Sequence, residues 1–188
     1  MLRHLPNLIT ILRMLLTVPL CWLIARGRYE GALLVAALAG FSDALDGFLA
    51  RQFGWRSWIG GVLDPLADKL LLIVAFVCLA LVGEVPVWLA AIVLGRDLVI
   101  VAGAFLYHVL VGRFEAAPSA LSKLNTAVQI AFVLVILLHA SHWLELSPAV
   151  HRILVVAVAL ATVASGLHYV VVWTARARRR AARTEKLQ

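Results

Sequence analysis

The stretch Asp43-Ala44-Leu45-Asp46-Gly47-Phe48-Leu49-Ala50-Arg51 is followed, after eight intervening residues, by Gly60-Gly61-Val62-Leu63-Asp64-Pro65-Leu66-Ala67-Asp68. Together they hold four of the chain's ten acidic residues. Asp43 and Asp46 are three positions apart, and Asp64 and Asp68 are four apart, so on helices each pair falls on one face. Both pairs flank a short break, Arg51 to Arg56, between two long apolar segments. A helical hairpin turning there brings the two acidic faces together. Four carboxylates so placed cannot all stay ionised uncompensated, because like charges repel and burial adds a desolvation penalty. Either several are protonated or cations neutralise them. An all-oxygen donor set suits hard ions such as Mg2+ or Mn2+. Two divalent ions offset four negative charges, and a two-metal site can clamp the attacking and leaving oxygens of a phosphoryl displacement.

Working outward, the rest of the chain sets the class. Of 188 residues, 63% are apolar and only 14% charged, with a mean hydropathy of +0.97. Soluble domains run nearer half apolar and a quarter charged, so the expected fold class is an all-α integral membrane protein. Apolar segments cover roughly 5–25, 31–50, 59–82, 86–110, 121–141 and 148–174. At about 20 residues per crossing, these predict six transmembrane helices in a single domain over 1–175, with a basic tail over 176–188. The breaks carry turn or charge signals: Arg26-Gly27-Arg28, Gly83-Glu84-Val85-Pro86, Gly112 to Ser119 and Ser141 to Pro148.

Orientation follows from the cations. Arg3, Arg51, Arg56, Arg113 and the tail fall on one side, and Arg26, Arg28 and Arg152 on the other. The richer side is cytoplasmic by the positive-inside rule, which puts both termini and the aspartate loop there. Six of the 17 cations lie between Arg176 and Lys186, the pattern of an anchor to anionic headgroups. Net charge is +7, yet nothing else supports nucleic-acid binding. Membrane-embedded carboxylates default to function, which leaves two classes: a phosphoryl-transfer enzyme, or an ion carrier or channel using the same aspartates.

The pattern Asp43-x2-Asp46-Gly47-x2-Ala50-Arg51-x8-Gly60-x3-Asp64-x3-Asp68 separates them. It resembles the signature of the CDP-alcohol phosphatidyltransferase family at every defined position, with eight residues fixed over 26 positions. The resemblance implies that Asp43, Asp46, Asp64 and Asp68 coordinate two metal ions, Mg2+ or Mn2+, which hold the pyrophosphate of CDP-diacylglycerol. It implies Asp68 as general base on the acceptor hydroxyl, and Gly47, Ala50, Arg51 and Gly60 around CMP. The residue types agree. Gly47 and Ala50 lack bulk on the face of Asp43 and Asp46, and Arg51 offers a planar fork for phosphate. The family also implies a homodimer and, for this chain, the bacterial inner membrane.

Three further regions bear on the substrates. Leu5-Pro6-Asn7-Leu8-Ile9-Thr10-Ile11-Leu12-Arg13 places Asn7, Thr10 and Arg13 on one helical face. It resembles the start of the family's phosphatidylglycerophosphate synthases and cardiolipin synthases, which implies contact with the CDP-lipid. Gly95-Arg96-Asp97 puts a charged pair inside an apolar segment, costly unless used. Arg96 is expected to bind an acceptor's phosphate, with Asp97 orienting it. Ser119 to Gln129, containing Ser122, Lys123 and Asn125, resembles the matching stretch of cardiolipin synthases. Phosphatidylglycerophosphate synthases tend to carry two more cations, where this chain has Asn125 and Ala104. Glycerol 3-phosphate is nearly a dianion, and phosphatidylglycerol carries one negative charge. Fewer cations favour phosphatidylglycerol as acceptor and cardiolipin as product, with glycerol 3-phosphate the alternative. Arg96, Lys123, Ser122 and Asn125 are the expected acceptor residues.

The remaining candidates read blandly. Cys21 and Cys78 lie in apolar runs and are expected to be small packing residues. The six histidines show no ligand spacing with the aspartates, and the tryptophans near segment ends fit an interfacial belt. Pro65 either fixes how Asp64 enters the site or merely punctuates a helix.

Overall fold

In a computed structural model the described residues are 5–53, 58–111 and 120–185, with side chains described over 10–42, at 67, over 69–103, over 120–172 and at 174. They form six helices: α1 (Leu5–Ala25), α2 (Tyr29–Phe53), α3 (Trp58–Leu81), α4 (Val87–Val111), α5 (Ala120–Ala140) and α6 (Pro148–Glu185). Among the described residues there is no strand. Five of the six match the expected segments to within three residues at either end. α6 departs, running on past 174 to Glu185, because Ala and Arg are both good helix formers and nothing there breaks the helix.

Three helices end in the same way. At the end of α1, Gly27 takes φ 68 and Arg28 N–H donates to Leu23 C=O at 2.9 Å. At the end of α3, Gly83 takes φ 85 and Glu84 N–H donates to Leu79 C=O at 3.0 Å. At the end of α5, His142 takes φ 62 and Trp143 N–H donates to Leu138 C=O at 3.1 Å. Each is a left-handed cap closing a tight reversal. The reversals lie at one end of the bundle. Tyr29 Oη donates to Glu84 Oε1 at 3.2 Å, and Trp143 Nε1 donates to Glu30 Oε1 at 3.1 Å. So α1, α3 and α5 run one way and α2, α4 and α6 the other. The aspartate-bearing stretches of α2 and α3 fall at the opposite end.

The core contains Leu20, Ile24, Phe76, Leu79, Leu89, Ile136 and Leu137, all fully buried. Phe76 and Phe132 stack with ring centroids 5.8 Å apart. Cys21 and Cys78 form a disulfide between α1 and α3, with Cα atoms 5.8 Å apart. This replaces the expectation of two independent packing residues. Each cysteine lies within a turn or so of the C-terminal end of its helix, and the two helices run parallel, a juxtaposition that a separation of 57 residues does not announce.

Polarity is inverted relative to a water-soluble bundle. Ile11, Leu12, Leu15, Val18, Leu160 and Leu167 point outward, while Thr10, Arg13, Arg96, Asp97, Asn125 and Gln129 are buried. Lipid-facing helices show this pattern, since polar groups inside can find partners and apolar groups outside need none. Among the described residues, Ala120–Ala140 and Pro148–Val172 are long and apolar enough to cross a membrane.

Candidate active site

The polar residues turned inward are organised around Arg96. This arginine sits midway along α4 and is 6% exposed. Its Nη1 donates to Asp97 Oδ1 at 2.6 Å. Its Nη2 donates to Ser122 Oγ of α5 at 2.5 Å and to Ser165 Oγ of α6 at 2.8 Å. One guanidinium therefore joins α4, α5 and α6, a task suited to its planar fork of donors. Gly166 packs close to it: a Cβ there would touch Arg96 Cγ at 3.4 Å. The Tyr169 ring lies 6.0 Å from Arg96 Cζ, within the range of a cation–π contact. Asp97 Oδ1 also faces Lys69 Nζ of α3 at 2.7 Å. That contact is ionic, without the alignment of a hydrogen bond. The cluster thus reaches a fourth helix.

One and two turns along α5 the polar seam continues. Gln129 Nε2 donates to Thr162 Oγ1 at 3.0 Å, and Thr162 Oγ1 donates to Asn125 Oδ1 at 3.2 Å. Asn125 and Gln129 are each 1% exposed. Arg96 Nε and Asn125 Nδ2 make no hydrogen bond. Buried donors of that kind usually cost about 1–3 kcal/mol each, and native cores keep few of them.

Of the expected acceptor residues, the structure brings Arg96 and Ser122 into direct contact, with Asn125 one turn beyond Ser122. Lys123 is exposed and stands outside the cluster. Thr10 and Arg13 are buried on the inward face of α1, at 0% and 2% exposure. Asn7 begins the same helix, with its side chain outside the described residues. Asp43, Asp46, Gly47, Ala50 and Arg51 lie on α2, and Gly60, Asp64 and Asp68 on α3. The side chains of these eight lie outside the described residues. Gly40, one turn before Asp43, and Lys69, directly after Asp68 in sequence, line one cavity together with Arg13 and Asp97. A donor set of four carboxylates, as α2 and α3 carry in their sequences, fits hard divalent ions.

The cavity has a volume of about 310 Å³. It lies between α1, α2, α3 and α5, with Asp97 of α4 at its polar end. Lys69, Ser165, Gly166 and Tyr169 are members of the site that sequence reasoning missed. Lys69 follows a signature aspartate and was hidden by it. The α6 residues carried no signal, since a serine beside a glycine in an apolar run reads as helix packing.

The whole arrangement has relatives. The family model described as CDP-alcohol phosphatidyltransferase matches residues 3–175. Human cardiolipin synthase (CMP-forming) is 35% identical over 144 residues, covering 68% of this chain and 48% of the human protein. The cardiolipin synthase (CMP-forming) of Streptomyces coelicolor is 37% identical over 155 residues, covering 77% of this chain and 70% of its own length. The chloroplastic CDP-diacylglycerol–glycerol-3-phosphate 3-phosphatidyltransferase 1 of rice is 35% identical over 185 residues, covering 88% of this chain and 56% of the rice protein. The chain spans about half the length of the human and rice relatives. With the signature placed on α2 and α3 and the match running through all six helices, the chain belongs to the CDP-alcohol phosphatidyltransferase family.

Proposed function

We propose that this protein transfers a phosphatidyl group from CDP-diacylglycerol to the hydroxyl of phosphatidylglycerol, giving cardiolipin and CMP. The observation that carries the acceptor assignment is the neutral Asn125 buried in the polar seam, together with the apolar depth of the cavity. Around the polar end of the cavity stand Arg13, Lys69 and Arg96 against Asp97. Asp97 takes up part of the charge of both Arg96 and Lys69, and Ser122 and Asn125 add only neutral groups. Asn125 stands where phosphatidylglycerophosphate synthases tend to carry a further cation, and its buried neutral amide suits a singly charged phosphodiester better than a near-dianionic monoester. The apolar depth of the cavity suits an acceptor that is itself a lipid. The names of the human and Streptomyces relatives favour the same product, and that of the rice relative favours glycerol 3-phosphate.

In this reading Asp43, Asp46, Asp64 and Asp68 hold two divalent ions, Mg2+ or Mn2+. When bound, these ions neutralise the donor's pyrophosphate and stabilise charge on departing CMP. Asp68 accepts the proton of the attacking hydroxyl. Gly47, Ala50, Arg51 and Gly60 surround CMP, with Asn7, Thr10 and Arg13 near the CDP-lipid. Arg96 holds the acceptor's phosphate, and Asp97, Ser122 and Ser165 fix the plane of its guanidinium. The six helices span the bacterial inner membrane with both termini cytoplasmic, and the enzyme works as a homodimer. The disulfide fits that orientation, because Cys21 and Cys78 lie near the end away from the cytoplasm, where oxidising conditions preserve such bonds.

The test is product identification. Purified protein is incubated with CDP-diacylglycerol and either phosphatidylglycerol or glycerol 3-phosphate. Cardiolipin from the first mixture is expected. Phosphatidylglycerophosphate as the sole product would reassign the acceptor.

A further inference from the structure

α5 and α6 are antiparallel, and their polar residues meet in two layers. In the first, Ser122 and Ser165 share Arg96 Nη2. The second lies three residues on along α5 and three back along α6, where Asn125 meets Thr162. At 1.5 Å per residue the layers are about 4.5 Å apart. Gln129, one turn further along α5, joins the second layer through Thr162.

This second layer has a polarity. A hydroxyl has one proton to give. Thr162 Oγ1 accepts from Gln129 Nε2 at 3.0 Å, so its own proton goes to Asn125 Oδ1, at 3.2 Å. The Asn125 oxygen is thereby engaged, and Nδ2 is the group left without a partner. With both amides reversed, the same three residues would bond as well, but Asn125 would be left with a free oxygen instead. Thr162 is 0% exposed, and Asn125 and Gln129 are each 1% exposed, so bulk water does not compete for these groups. Thr162 also departs from the habit of the other threonines. Thr17, Thr126 and Thr174 each donate to a carbonyl of their own helix, the usual resort of a helical threonine. Thr162 gives its proton across to α5.

The direction matters to an anion. One layer away, Arg96 Nε is a second buried donor without a partner. A phosphodiester has two unesterified oxygens and accepts only, so it is served by a free Nδ2–H and repelled by a free amide oxygen. We propose that Thr162 and Gln129 are positioning residues for the acceptor, holding the Asn125 amide so that Nδ2–H is free to donate to the acceptor's phosphodiester beside Arg96. The inference rests on the acceptor reading above.

Thr162→Val keeps the shape and removes the hydroxyl. The KM for phosphatidylglycerol is expected to rise about tenfold or more, the loss of one hydrogen bond to a charged group. The kcat and the KM for CDP-diacylglycerol should stay within about twofold, the split expected of a group that acts only in binding the acceptor. Thr162→Ser should restore the wild-type KM. In an Asn125→Leu background, adding Thr162→Val should raise the KM no further, because the two act as one unit. Gln129→Leu, which leaves the Thr162 hydroxyl free to turn away, should move the same KM and spare the other two constants, and it carries the test if Thr162→Val does not fold. An unchanged acceptor KM would overturn the proposal. So would equal losses for both substrates, a Thr162→Ser variant as impaired as Thr162→Val, or additive effects with Asn125→Leu; each of these belongs to a seam that only joins helices. If the wild type converts glycerol 3-phosphate alone, the acceptor assignment falls, and the same comparisons are read on that KM.

A second readout needs no turnover. The chain has two asparagines, Asn7 and Asn125. Isotopic labelling of asparagine nitrogen therefore gives two side-chain amide signals, and the one lost in Asn125→Leu is Asn125. Titration with dihexanoyl phosphatidylglycerol should shift that signal in the wild type and shift it much less in Thr162→Val at the same lipid concentration. A signal that stays in place in the wild type, or moves as far in Thr162→Val, overturns the proposal whether or not the transferase reading stands.

Discussion

Replacing Asp97 by asparagine keeps the side chain's shape and removes its charge. Asp97 is 7% exposed and is the shared anion of Arg96 and Lys69. Breaking a buried ion pair from one side typically costs about 3–5 kcal/mol, because the partner is left charged and unpaired. One feature reduces this: the amide oxygen can still accept from Arg96 Nη1, retaining about 1 kcal/mol. Lys69 Nζ is shut off from solvent although 36% of the side chain is exposed, so its charge too is left unpaired. The expected loss for Asp97→Asn is therefore about 2–4 kcal/mol. It can be measured by reversible unfolding in mixed micelles, followed by tryptophan fluorescence. The double replacement Arg96→Met with Asp97→Leu removes both charges. It should restore stability to within about 1 kcal/mol of wild type, since apolar isosteres often replace buried pairs at little cost. Ser122 and Ser165 can then turn to their own helix carbonyls. The same double variant should lose activity. A single-variant loss below about 1 kcal/mol, or a double variant as unstable as the single, would refute the view that the pair is kept for function.

Other outcomes follow from particular contacts. Gly166→Leu should drive Arg96 off its serines, because even a Cβ there would sit 3.4 Å from Arg96 Cγ. Acceptor KM is expected to rise about tenfold or more, the scale of a misplaced binding group, with the donor's KM little altered. Cys21 and Cys78 should resist alkylation until reduced, and Cys21→Ser should lower stability by at most about 4 kcal/mol, the chain-entropy value for this separation. His142→Gly should stabilise the protein by about 0.5–1 kcal/mol, since His142 holds a left-handed φ of 62 that glycine adopts freely.

The helices were legible because apolar runs of 20 or more residues, punctuated by Gly27, Gly83 and Pro86, leave few other readings. The family was legible because the spacing of the aspartates is itself the signature. What could not be read was lateral: which face of α6 meets Arg96, or that Cys21 meets Cys78. In a bundle that is apolar outside, hydrophobic periodicity no longer separates inner from outer faces, so Ser165 and Gly166 look like any small residues in a span. Lys123 shows the opposite error. A cation beside Ser122 in sequence points to another side, because adjacent helical positions are about 100° apart. Lys69 was overlooked beside Asp68, although it is the cation that reaches Asp97.

The central claim is that the aspartates of α2 and α3 catalyse metal-dependent release of CMP from CDP-diacylglycerol. The most direct measurement is CMP formation by the purified chain in phosphatidylglycerol-containing micelles, before and after chelation and on return of Mg2+ or Mn2+, for wild type and for Asp68→Asn. CMP should appear only with metal, and Asp68→Asn should release none while unfolding at the wild-type midpoint. Undiminished CMP release by Asp68→Asn, or by chelated wild type, would contradict the account.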